Sequence, residues 1–408
     1  MADRPDRAGG AGRPTGPPRG AVDRVRSAHR QVRWTAPLIV LFLVASLGAA
    51  VASNPWAALH LGLAGAAVLL ISAVALMLTV TWSAAPAPSD AVVALQRVCI
   101  VVGVTAVVAG REAGAPTALV ITGAAMYAVG LLLLAAVLVV TVRQGVQRRF
   151  DVPVAGFVVA AVAGVVGAAF GAALAIGPVT ATRLDVHRTV NLLGLVGLVI
   201  SSTLPYFAAT VGRTKMATAA TPRRLAGVLV GQSAALALVV VGVMSSWPLV
   251  GSAGLGAYAA GLLVVLTLLP RPTMRQLRWS GPRLFGLWAG TGWWVAVVVV
   301  GAVSLARGRA PFAAPWTTVL VVAAYGQIVW GSLAYLLPVL RGGGHEHLAR
   351  GFATTRSWLA LAAVNAAGVA LVAGRPGVAV AAVVVWVLDT AVRAALLVVP
   401  RGARTSRT

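Results

Sequence analysis

The sequence predicts an all-α fold, a polytopic bundle of about twelve transmembrane helices, and three observations carry that prediction. Of its 408 residues, 59% are hydrophobic and only 10% charged, with a mean hydropathy of +0.90; soluble domains carry about 25% charged residues. Apolar runs of about 18 residues or more recur along the whole length. The basic residues fall in short clusters between those runs. A formal charge of +24 would otherwise suggest nucleic acid, but bases gathered at span ends fit anionic headgroups and membrane topology instead. Nucleic acid is therefore excluded as a partner, and the lipid bilayer is the expected one.

Taken in order, residues 1–34 are rich in Gly, Pro and Arg and read as a disordered basic cytoplasmic tail. The run Ala36–Ala52 is the first span. It closes on "AVAS", a signal-peptidase-like ending, but the basic stretch before it is too long for a signal peptide. Further apolar runs follow at Trp56–Thr81, Val92–Gly110, Thr117–Val142, Val152–Ile176, Leu184–Val211 and Leu225–Ser246. The chain then gives Val250–Leu269, Arg283–Leu305, Trp316–Leu340, Arg356–Ala373 and Gly377–Val399. Helices satisfy every backbone group within lipid, so each run is read as one. Residues 35–400 form a single membrane domain, and 401–408 a short basic tail.

Charge sets the expected orientation. With the N-terminus inside, the inner segments hold 25 Lys or Arg and the outer loops 6. By the positive-inside rule this predicts N-in and C-in, in the plasma membrane. The inner loop "SAAPAPSD" carries no base, and the rule does not account for it.

Few residues can carry chemistry. The single cysteine, Cys99, lies in an apolar run and forms no intrachain disulfide. No Walker loop, nucleophile elbow or HExxH motif is present. His60 opens the second span and His187 the sixth, so both fall near the outer face at similar depth. Two histidines so placed can bind a haem iron axially or hold copper; at an interface they can equally sit among headgroups or bond a neighbouring carbonyl. Asn191, Gly194 and Ser201 continue the face of His187 at i+4, i+7 and i+14. Gly62/Ala66 and Gly194/Leu198 read as packing notches. "GGGHEH" offers His345, Glu346 and His347, too few ligands for a closed metal site. Asp389 and Arg393 lie four apart in the last span, with the acid first; they form either a structural pair or a functional site. Arg97 must reach another helix or the headgroups, and Gln232 and Gln327 are expected to bond between helices.

Two stretches carry a resemblance. "VHRTVNLLGLVGLVISSTLPYFAATVGRTKM" (Val186–Met216) and "YGQIVWGSLAYLLPVLRGGG" (Tyr325–Gly344) resemble membrane regions of actinobacterial multicopper-oxidase or nitrite-reductase-like proteins. His187, Asn191 to Gly194, Thr203, Leu204 and Arg213 to Met216 match the first pattern. The Trp-Pro of that pattern is replaced here by Ala208 and Ala209. Those regions are in turn similar to haem-copper oxidase subunit I and the NnrS family. The resemblance implies a haem histidine on the second helix and a copper histidine on the sixth, positions held by His60 and His187. It also implies a redox or membrane-protein partner and a role in respiratory, nitrogen-oxide or copper physiology. No histidine pair stands on the seventh helix, where "VGQSAALALV" occurs, and none on the tenth. The binuclear centre is thus incomplete, and the expectation is a non-catalytic relative binding haem or copper. The alternatives are a secondary transporter using Asp389 and a structural membrane partner.

Overall fold

The computed structural model describes residues 19–398. Among the described residues, twelve helices are long and apolar enough to cross a membrane. Spans 1–6 are Asp23–Val51, Pro55–Trp82, Asp90–Glu112, Thr117–Gln144, Asp151–Ile176 and Ala181–Val211. Spans 7–12 are Pro222–Met244, Pro248–Thr267, Pro282–Ala306, Trp316–Arg341, Gly344–Val372 and Pro376–Leu397. The chain is therefore a polytopic integral membrane protein.

Two boundaries differ from the sequence reading. The first helix extends back to Arg19, so residues 19–34, expected to be disordered, are helical; the rest of that tail and residues 401–408 lie outside the described residues. The extension has a cause. Gln31 donates to the Pro88 carbonyl at 3.0 Å and to Asp90 at 2.9 Å, Arg30 pairs with Asp90 at 2.7 Å, and Arg97 donates to the Gln31 carbonyl at 2.6 Å. The base-free "SAAPAPSD" loop thus borrows its cation from span 1, and Arg97 reaches another helix. Span 11 is broken: a helix over Gly344–Thr354 precedes Trp358–Val372, and the Ser357 hydroxyl caps the second piece by accepting from Ala360 N–H.

Local chemistry explains where spans begin. Asn54 caps span 2 ahead of Pro55, Ser89 caps span 3, Thr180 caps span 6, and Thr221 with Pro222 opens span 7. Neighbouring helices then pack antiparallel through glycine notches. A Cβ placed on Gly103 would lie 2.6 Å from the Tyr127 backbone nitrogen and 2.8 Å from the Gly123 oxygen. Gly194 is likewise filled by Ala163 and Leu236, and Gly62 by Ser46.

Spans 2, 6 and 10 are the most enclosed, and spans 1 and 12 are peripheral. The same three central spans each contain a π-helical segment: His60–Ala67, Val190–Gly197 and Leu320–Gly326. π-Segments are rare and frequent at functional sites; here they recur at every fourth span. The segment in span 6 offers two carbonyls to its neighbours. Tyr258 of span 8 donates to Leu193 O and Tyr325 of span 10 to Leu192 O, each at 2.8 Å. Gln232 accepts from Ser201 at 2.7 Å, the interhelical bond expected of it. Gln327 does not follow: it is buried, and neither amide atom has a partner among the described residues.

Candidate cofactor site

His60 and His187 come together. Their ring centres lie 6.2 Å apart, with planes within 15° of parallel. Each ring is fixed by its own backbone contact. His60 Nδ1 is 2.8 Å from the Trp56 carbonyl, one turn back on the same helix, and His187 Nδ1 is 2.9 Å from the Gly167 carbonyl on span 5. A carbonyl oxygen only accepts, so Nδ1 carries the proton in both rings. Nε2 of each ring has no partner among the described residues and keeps its lone pair, which is the arrangement of a ligating imidazole.

Asn191 lies beside them. Its amide donates to the His187 carbonyl at 2.8 Å, while Nδ1 of the ring is 3.4 Å away. The Gly167 carbonyl, rather than Asn191, orients the imidazole. Sequence reasoning missed Gly167 and Gly171. A Cβ at Gly167 would fall within 3 Å of the Asn191 amide, and one at Gly171 would sit 3.1 Å from His187 Cε1. Their spacing, "GAAFG", is the small-residue signal that could have found them.

The rings open on a cavity of about 650 Å³, within the ~300–1,000 Å³ range of small-molecule and cofactor sites. Spans 2 to 6 build its wall, and Thr317 of span 10 joins them. The lining includes Tyr127, Arg111 and Arg188 but no carboxylate. Trp56 stacks on His60 with 4.1 Å between centres, and Arg111 covers the other part of this stack, 4.3 Å from the Trp56 ring centre. Asn54 donates to Glu112 at 2.6 Å, which ties the start of span 2 to the end of span 3 and holds the stack in place.

Other candidates stand apart. Among the described residues, no group of three or more His, Cys, Asp or Glu side chains could hold a metal ion; His345 and His347 lie in the first turn of the helix Gly344–Thr354. Asp389 is bound by Arg393 through both carboxylate oxygens, at 3.0 and 2.9 Å. Arg393 also donates to the Thr354 and Arg356 carbonyls at 2.9 and 3.1 Å. The pair thus braces span 12 against the break in span 11 and does not line the cavity. Arg393→Ala should lower stability by about 1–3 kcal/mol, because a mostly buried carboxylate loses its partner and two carbonyls lose a donor. Asp389→Asn, which keeps a hydrogen-bonding group beside Arg393, should cost less. Both effects are read from thermal unfolding in detergent. A loss of solute uptake by Asp389→Asn at unchanged stability would instead favour a transport role.

In comparisons with family models, curated proteins and solved structures, nothing matches this chain.

Proposed function

We propose that the protein is a non-catalytic relative of haem-copper membrane domains that binds one haem between His60 and His187 and serves electron transfer in the plasma membrane. The observation carrying this reading is the pair of near-parallel imidazoles, 6.2 Å between centres and each pinned through Nδ1. With Nδ1 of each ring engaged by a carbonyl, Nε2 is the nitrogen by which His60 and His187 would hold a metal.

Haem suits this ligand set better than a bare ion. A haem iron asks the protein for only one or two axial ligands, whereas a closed zinc-type site needs four. The wall supplies apolar surface together with Arg111 and Arg188, cations suited to carboxylate groups. His60 and His187 would hold the haem, which would supply one-electron chemistry there. The chain itself fixes both imidazoles in one tautomer and stacks Trp56 on His60. The N-in orientation, supported by the 25-to-6 charge asymmetry, puts this cavity at the outer face, where an electron partner would dock.

The absorption spectrum of the purified protein tests the reading. A Soret band with the narrow visible bands of bis-imidazole iron is the expected result. Copper without haem in metal analysis would transfer the site to copper, and the absence of both would remove the cofactor reading.

A further inference from the structure

At the end of the bundle opposite the cavity, three arginines converge without a carboxylate. Arg213 follows span 6, at a backbone turn with φ +48°. Arg283 is the second residue of span 9, and Arg356 occupies the break in span 11. Two aromatic rings organise them: Trp279, from the short helix Met274–Ser280, and Phe352, 5.5 Å apart in an edge-on pair. The Arg213 guanidinium lies 3.8 Å from the Trp279 centre and 5.6 Å from that of Phe352. The Arg283 guanidinium lies 4.9 and 5.0 Å from the same two rings. Arg356 is held alongside, donating to the Arg278 carbonyl at 2.9 Å, and a Cβ added at Gly281 would be 2.9 Å from its Nε.

The rings anchor the guanidinium groups by cation–π attraction but do not neutralise them. Among the described residues, the ion pairs are Arg30–Asp90, Arg148–Asp151 and Arg393–Asp389; none includes these three arginines. Arg283 is only 1% exposed. Its Nε donates to the Ser280 carbonyl and its Nη2 to the Trp279 carbonyl, both at 3.2 Å, while Nη1 has no partner among the described residues. A buried cationic N–H without an acceptor is costly. Two further guanidinium groups beside it add repulsion that a bound anion would relieve. Several arginine forks around one point suit a group with several charged oxygens, and phosphate has that form.

We propose that Arg213, Arg283 and Arg356 form a phosphate-binding site, filled by a lipid phosphodiester headgroup or by free phosphate. Bound phosphate would accept from the exposed guanidinium groups of Arg213 and Arg356, and the enclosed Arg283 would add its charge from behind them. It would also tie the loop after span 6 to spans 9 and 11.

Two probes distinguish the sources. Native mass spectrometry of protein released from phosphatidylglycerol nanodiscs reports a retained lipid, and calorimetric titration with inorganic phosphate reports the free anion. The wild type should bind at least one of them. The double variant Arg213→Gln/Arg356→Gln, which alters only exposed side chains, should weaken that binding at least tenfold. Arg283→Gln should abolish it if the variant folds, and Arg375→Gln, between spans 11 and 12 at the other end of the bundle, should leave it unchanged. Lipid retention without phosphate heat assigns the site to headgroups; phosphate heat without lipid retention assigns it to the free anion. Failure of the wild type to bind either probe, or equal binding by the double variant, would overturn the site.

Discussion

Under the proposed haem function, His60→Ala and His187→Ala are each expected to remove the haem spectrum while leaving a folded protein. Both rings line a cavity rather than fill a packed core, so their loss leaves the surrounding packing intact. Loss of an outer partner that orients a ligand typically costs 10–100-fold in affinity; loss of the ligand itself should exceed that. Asn191→Ala should behave differently. Its amide bonds the His187 carbonyl, and the ring is oriented by Gly167 on another span. Binding should therefore weaken by less than about tenfold and persist. Absorption spectra and haem quantification on the three variants decide the matter. A spectrum unchanged in both histidine variants would sink the site, whatever cofactor the protein carries.

The largest expected effect on stability comes from a single methyl group. Gly103→Ala should destabilise by about 2–3 kcal/mol, at the upper end of what overpacking costs. Its new Cβ would meet the backbone of Tyr127 and Gly123 at 2.6–2.8 Å, and backbone cannot rotate away as a flexible side chain can. Spans 3 and 4 would have to separate along their length. Gly231→Ala, on span 7, is the matched control: nothing lies within 4 Å of its added Cβ. There the methyl only restricts the unfolded chain and favours helix, so a gain of up to about 1 kcal/mol is expected. Thermal or denaturant unfolding in the same detergent should thus give opposite signs for one chemical change. Equal effects at both positions would show that the contact between spans 3 and 4 does not govern stability.

Much of the candidate site is legible in the amino-acid sequence. His60 and His187 stand out because histidine is scarce in this chain and both open an even-numbered span, which places them at one depth. Their approach to 6.2 Å is not legible there, since depth says nothing about which helices are neighbours. Nor is the Gly167 carbonyl, a group every residue possesses and one that becomes a partner only where span 5 comes close. The arginines around Trp279 belong to segments far apart in sequence; their charges can be counted, but not their convergence. Gln327 has the polarity of an interhelical bond, yet polarity alone does not supply an acceptor.

The sequence by itself determined the number of spans, their approximate ends and the segregation of basic residues. Each of these answers to a local quantity, the transfer of one segment from water to hydrocarbon. Only the tertiary structure decided which spans lie at the centre. Hydropathy does not report it: peripheral spans 1 and 12 are more apolar than span 6, the most buried. The physical reason is that lipid tails are as apolar as leucine, so no hydrophobic contrast selects one face of a span over another. Shape selects it instead, through glycine notches, π-segments and a few buried hydrogen bonds, and these take effect only when a second helix arrives to meet them.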